Sequence, residues 1–149
     1  MPVDISNRPY NTAEIRHYTS FHFNNNIAHK IIGAGNINWK NASGQQSCAM
    51  RLSIALAYAG VHWPRINNSW RLKDTNVYFP SRAGDYPNLL ANRESINSAT
   101  DISGRRGVVF FGGNFGGSTS GHVTLWNGNS CHHNDAYWPQ PTKYFWQMA

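Results

Sequence analysis

The stretch from Cys48 to Gly60 constrains the fold more than any other part of the chain. Leu52, Ala55, Leu56 and Ala59 recur at the spacing of one helical face, and Gly60 supplies a natural stop. The pattern predicts an apolar helix that must be buried against a second layer. That layer is encoded much later. Gly107-Val108-Val109-Phe110-Phe111 is a buried-strand run bounded by Arg106 and Gly112-Gly113, and His122–Trp126 is a second strand closed by the tight-turn pair Asn127-Gly128. A third strand is expected near Ala136–Trp138, before Pro139 and Pro141. Helices that precede strands predict an α+β class, with the Cys48 helix packed on a small antiparallel sheet.

The rest of the chain is less patterned. Residues 1–26 read as irregular, and Ile27–Ile32 as a short helix stopped by Gly33 and Gly35. Asn36 to Ser47 reads as a polar loop, with Ser47 as N-cap of the helix that follows. Residues 61–83 hold aromatic and basic side chains without clean periodicity, broken by Pro64 and Pro80. Tyr86–Arg93 reads as a helix with Pro87 in its first turn. Neither a repeat nor a long linker divides the chain, so one domain over 1–149 is expected.

Cys48 lies one turn before Leu52, at the expected helix start. Unpaired backbone N–H groups and the positive end of the helix dipole favour a thiolate there. His122 places an imidazole at the mouth of a strand. A lone cysteine in an alanine-rich helix is ordinarily core filling, and a Gly-His pair an ordinary strand junction. Together they supply a nucleophile and its base. The Cys48 backbone N–H would then hold an oxyanion, with a side-chain amide from Gln45 or Gln46 as a second donor. Trp63, Arg65, Trp126 and the glycine-rich 112–121 segment are candidate walls and lid of a substrate groove.

Composition narrows the partners. Of 149 residues, 40% are hydrophobic and 13% aromatic, which argues against disorder. No apolar run approaches a membrane span, so no membrane insertion is expected. The first residues lack the layout of a secretory signal, so synthesis in the cytoplasm and a dedicated export route are expected. The net charge of +6 and pI near 9.6 suit a polyanion, whether nucleic acid, an anionic membrane face or a bacterial wall, and no nucleic-acid motif accompanies them. Cys48 and Cys131 are too few for a disulfide scaffold, and Cys131 reads as loop or core filler. Cys131-His132-His133 cannot all point at one ion, so neither a metal nor another cofactor is expected.

Ser47-Cys48-Ala49-Met50-Arg51-Leu52-Ser53 and Gly121-His122-Val123-Thr124-Leu125-Trp126-Asn127-Gly128 together resemble the fourth family of type VI secretion amidase effectors, within the papain-like cell-wall cysteine amidases. The resemblance implies a papain-like fold and an enzyme injected by a secretion apparatus into the periplasm of a rival bacterium. There it would cleave the γ-D-glutamyl–meso-diaminopimelate bond of peptidoglycan stem peptides. It also implies a cognate immunity protein that plugs the active site. Cys48 would be nucleophile, His122 base and Asp135 the third member, an aspartate somewhat after the histidine. Asp135 is the only carboxylate after Asp101, while Asn127, His133 and Asn134 remain alternative partners for the imidazole. Two other readings stand beside this one: a papain-like transglutaminase or deamidase acting on protein glutamine, and a non-catalytic wall-binding module.

Overall fold

The computed structural model describes residues 2–20, 31–32, 44–67, 69–72, 77–113, 120–132 and 135–149. The chain opens with α1 (Tyr10–Ser20). Its buried positions include Tyr10 and Ala13, and the Tyr10 N–H donates to the Ala149 carbonyl. Its largely polar sequence explains why the segment reads as irregular. A short strand β1 (Ile31–Ile32) stands where the end of a helix was expected, and residues 27–30 and 33–43 lie outside the described residues.

The long helix α2 (Gly44–Tyr58) starts earlier than its apolar pattern suggests. Ser47 is therefore inside the helix rather than its N-cap, and Cys48 is the fifth residue. Polar residues at 44–47 continue the helix because a first turn needs no apolar face. The stop is as expected: Gly60 adopts φ +99, and its N–H donates to Ala57 while Val61 N–H donates to Leu56.

Beyond it, β2 (Ser69–Leu72) pairs antiparallel with β1 and with β3 (Tyr78–Pro80), forming a three-stranded sheet in the aperiodic region. A 3-10 turn at Ala83–Asp85 runs into α3 (Tyr86–Leu89), which ends well short of Arg93. Its one face is used up by Tyr86 and Leu89, both buried.

The main sheet comprises β4 (Glu94–Ser95), β5 (Gly107–Gly112), β6 (His122–Trp126) and β7 (Thr142–Gln147), in the order β4-β7-β5-β6, antiparallel throughout. The strand expected at 136–138 is instead a 3-10 turn, Asp135–Tyr137, and the third strand lies further on as β7. Asp135 causes this locally: its Oδ1 accepts the Cys131 N–H at 2.9 Å and the Trp138 indole N–H at 3.4 Å, curling the chain.

Both faces of this sheet are covered. On one, Val108, Phe110, Val123, Leu125 and Trp146 pack with Cys48, Ala49, Leu52 and Leu56 of α2. On the other, Val109, Phe111, Trp126 and Phe145 pack with Ile96, Ile102 and Cys131. Coverage on both sides explains why β5 reads as an unbroken apolar run rather than an alternation.

Candidate active site

Cys48 sits in the α2-side core, 1% exposed, and is not in a disulfide; nor is Cys131. β6 is the last strand of its sheet, so one of its edges faces away from β5. Leu125 carries its carbonyl on that edge, where it accepts the His132 N–H at 2.9 Å. Val123, two residues earlier, projects its N–H off the same edge, and that N–H points at the Cys48 sulfur. The thiol therefore lies against the strand's outer rim, beside the residue that follows His122.

His122 is fully buried and belongs by alternation to the opposite face from Val123. Its ring stacks on Phe111, its cross-strand partner, with centroids 6.3 Å apart, and lies 4.6 Å from the Tyr137 ring. Gly121 makes this entry into the strand possible. It adopts φ +146, and a Cβ there would stand 2.8 Å from the Phe111 carbonyl oxygen. The preceding Ser120 is held by the Gly84 N–H, which donates to its Oγ at 2.9 Å.

Burial dominates the electrostatics of the nucleophile position. It pushes the Cys48 thiol up to about 11, against the pull of the Val123, Ala49 and Cys48 N–H groups and the Arg51 charge. The resting thiol is thus protonated, a correction to the helix-terminus argument, which neglects desolvation. Arg51, one turn along α2, is itself 6% exposed, and burial lowers its own pKa while Cys48 raises it. Tyr86 donates its hydroxyl to the Ala49 carbonyl at 2.7 Å in the same buried region. Arg51 lies one helical turn after Cys48 within the Ser47–Ser53 motif, whereas Tyr86 does not stand out in sequence, since only the fold brings it to the sulfur.

The other expected residues fall in different places. Asp135 is exposed and binds the Cys131 and Trp138 N–H groups, two residues before the Tyr137 that lies against His122. Asn127 is engaged in its own turn, its Oδ1 accepting the Asn129 and Ser130 N–H groups, while His133 and Asn134 lie outside the described residues. Gln45 and Gln46 are in the first turn of α2, described for their backbone alone. Trp63 is half-buried, packs edge-on against Tyr86 and donates its indole N–H to the Ser53 carbonyl at 2.9 Å. Trp126 is a correction: at 2% exposure, with its indole N–H on the Ile102 carbonyl, it is core rather than groove wall. Of the 112–121 segment, residues 114–119 lie outside the described residues. Among the described residues no cluster of three His, Cys, Asp or Glu side chains could hold a metal ion.

Residues 45–146 match the family described as Tae4, type VI secretion system (T6SS) amidase effector protein 4. The chain belongs to this family. No curated protein matches it. Among solved structures it resembles Tae4 from Enterobacter cloacae in its effector–immunity complex with Tai4, at 22% identity and a TM-score of 0.71 over 95% of this chain and 99% of that one. It also resembles Tae4 of the Salmonella typhimurium effector–immunity complex, at 22% identity and a TM-score of 0.70 over 97% of this chain and 100% of that one. The fold is therefore that of the Tae4 effectors, a papain-like α+β arrangement.

Proposed function

We propose that this T6SS amidase effector hydrolyses the γ-D-glutamyl–meso-diaminopimelate amide of peptidoglycan stem peptides. In this reading Cys48 is nucleophile, His122 general base and Asp135 the residue that orients the imidazole. The observation that carries it is the position of the Cys48 sulfur at the rim of β6, next to the backbone that bears His122.

Because burial keeps the thiol protonated, the proton moves as the substrate arrives. His122 takes it while sulfur attacks the γ-carbonyl of D-glutamate, so no standing ion pair is required. Cys48 is fifth in α2, so its N–H is committed to the helix ladder, and the tetrahedral oxyanion is assigned to a side-chain amide of Gln45 or Gln46. Gln45, three residues before Cys48, shares its helical face, whereas Gln46 does not. The imidazolium then protonates the departing diaminopimelate amine. Water, deprotonated by the same ring, cleaves the thioester and regenerates the thiol. Asp135 shares its turn with Tyr137, whose ring centroid lies 4.6 Å from that of His122, and this neighbourhood supports Asp135 as the orienting residue.

The +6 charge suits the anionic wall. The secretion apparatus delivers the protein to the periplasm of a target bacterium, and a cognate immunity protein covers the Cys48 site in kin cells, as the Tae4–Tai4 pairing of its structural relatives suggests. Digestion of purified muropeptides tests the reading. The expected products are split between D-glutamate and diaminopimelate, and Cys48→Ala yields none. Absence of that split with the unaltered protein overturns it, and incorporation of a labelled amine into protein glutamine would point to transfer instead.

A further inference from the structure

Next to the elements that carry the site lies a cavity of about 410 Å³, lined by Arg65, Ile66, Asn67, Asp85, Asn88 and Leu89 among others. Its two walls are tied to the nucleophile helix. The 63–67 wall is anchored by the Trp63 indole on Ser53 and the 85–89 wall by the Tyr86 hydroxyl on Ala49. Gly84, adjoining Asp85, donates to Ser120, two residues before His122.

The cavity holds one cation and one carboxylate that do not neutralise each other. Neither Arg65 nor Asp85 is ion-paired with another described residue. Asp85 Oδ2 is shielded from solvent and has no hydrogen-bond partner among the described residues, a state that costs free energy until a donor arrives. Arg65 lies with its Cζ 5.1 Å from the Tyr78 ring centroid, which steadies the guanidinium while its N–H fork stays open to an anion. Asn67 and Asn88 add neutral polar groups, and Ile66 and Leu89 an apolar floor for the carbon chain.

We propose that this cavity is a substrate subsite that binds an α-carboxylate bearing an adjacent N–H: the carboxylate pairs with Arg65 and the nitrogen donates to Asp85. The far end of diaminopimelate has this chemistry, with a free ammonium in an uncross-linked stem and an amide N–H in a cross-linked one. The assignment deepens the amidase reading and rests on it for the identity of the ligand.

The test combines turnover with binding. Arg65→Gln and Asp85→Asn are each expected to raise KM for diaminopimelate-containing stem peptides about tenfold while kcat holds within about twofold. In Cys48→Ala protein, which turns nothing over, the same substitutions should weaken binding of the L-alanyl-γ-D-glutamyl-diaminopimelate tripeptide about tenfold. A larger Asp85→Asn effect on uncross-linked stems identifies the free ammonium as the donor; equal effects on both stem types identify the amide N–H. Unchanged KM and unchanged binding in both variants, with cleavage intact, overturn the subsite and leave the amidase reading standing. Charge-dependent binding by Cys48→Ala protein, with no cleavage by the parent, retains the subsite and removes the amidase reading. Arg65 is exposed, so its variant folds independently of any burden at Asp85.

Discussion

The backbone N–H of Val123 points at the sulfur of Cys48, which joins the nucleophile helix to the outer edge of β6 one residue after His122. The contact shows how two residues remote in sequence come to share one rim. Helix α2 presses its apolar face on the sheet, and the thiol at its beginning overhangs the edge. The same contact partly offsets the desolvation that keeps the thiol protonated.

That desolvation gives a pH signature. Burial raises Cys48 from an ordinary 9.0 to about 11. Between those values the unfolded chain releases the proton and the folded one retains it, so stability falls as pH rises through the window. The full loss is about 3 kcal/mol. Urea midpoints of the parent and Cys48→Ala, compared at neutral and alkaline pH, should show a steeper alkaline decline for the parent. Parallel declines would contradict the raised value; Cys131, shifted the same way, contributes equally to both proteins.

Arg51 opposes the burial of the thiol with its charge. Arg51→Met should move the pH midpoint of iodoacetamide labelling at Cys48 upward and lower kcat about tenfold, with Arg51→Lys restoring part of both. A drop in melting temperature with an unmoved labelling midpoint would reduce Arg51 to a packing role.

Gly121 precedes the base position with φ +146 and no room for a Cβ against the Phe111 carbonyl. Gly121→Ala is expected to cost about 1–3 kcal/mol and to displace His122, reducing hydrolysis more than the stability loss explains. Denaturant titration beside a hydrolysis assay measures both, and a variant as stable and active as the parent would refute the strained entry.

Tyr86→Phe removes the buried hydroxyl that donates to Ala49 and leaves that carbonyl unsatisfied by it. The expected cost is about 1–3 kcal/mol. Hydrogen exchange should locate the loosening in the first turns of α2. Uniform protection in that helix would place the effect elsewhere.

Much of the scaffold can be read along the chain because its signals are local. The helical repeat of Leu52, Ala55, Leu56 and Ala59, and the apolar runs at 107–111 and 122–126, each specify their element without distant help. Other elements depend on remote partners. β7 is central because β4 and β5 flank it, and α1 depends on the segments that cover Tyr10 and Ala13. Residues 136–138 carry strand-like side chains, but the Asp135 carboxylate captures two N–H groups first.

By itself the sequence determined the class of the fold, the helix that bears Cys48 and the strand that begins at His122, because periodicity and turn chemistry act over a few residues. Only the tertiary structure decided what surrounds those two groups. It sank the thiol until burial outweighed the helix terminus, turned His122 onto the face shared with Phe111 and Tyr137, and enclosed Trp126 in the core. It also set Arg65 and Asp85 across one cavity. Desolvation and sidedness depend on every layer packed around a residue, so no local pattern encodes them.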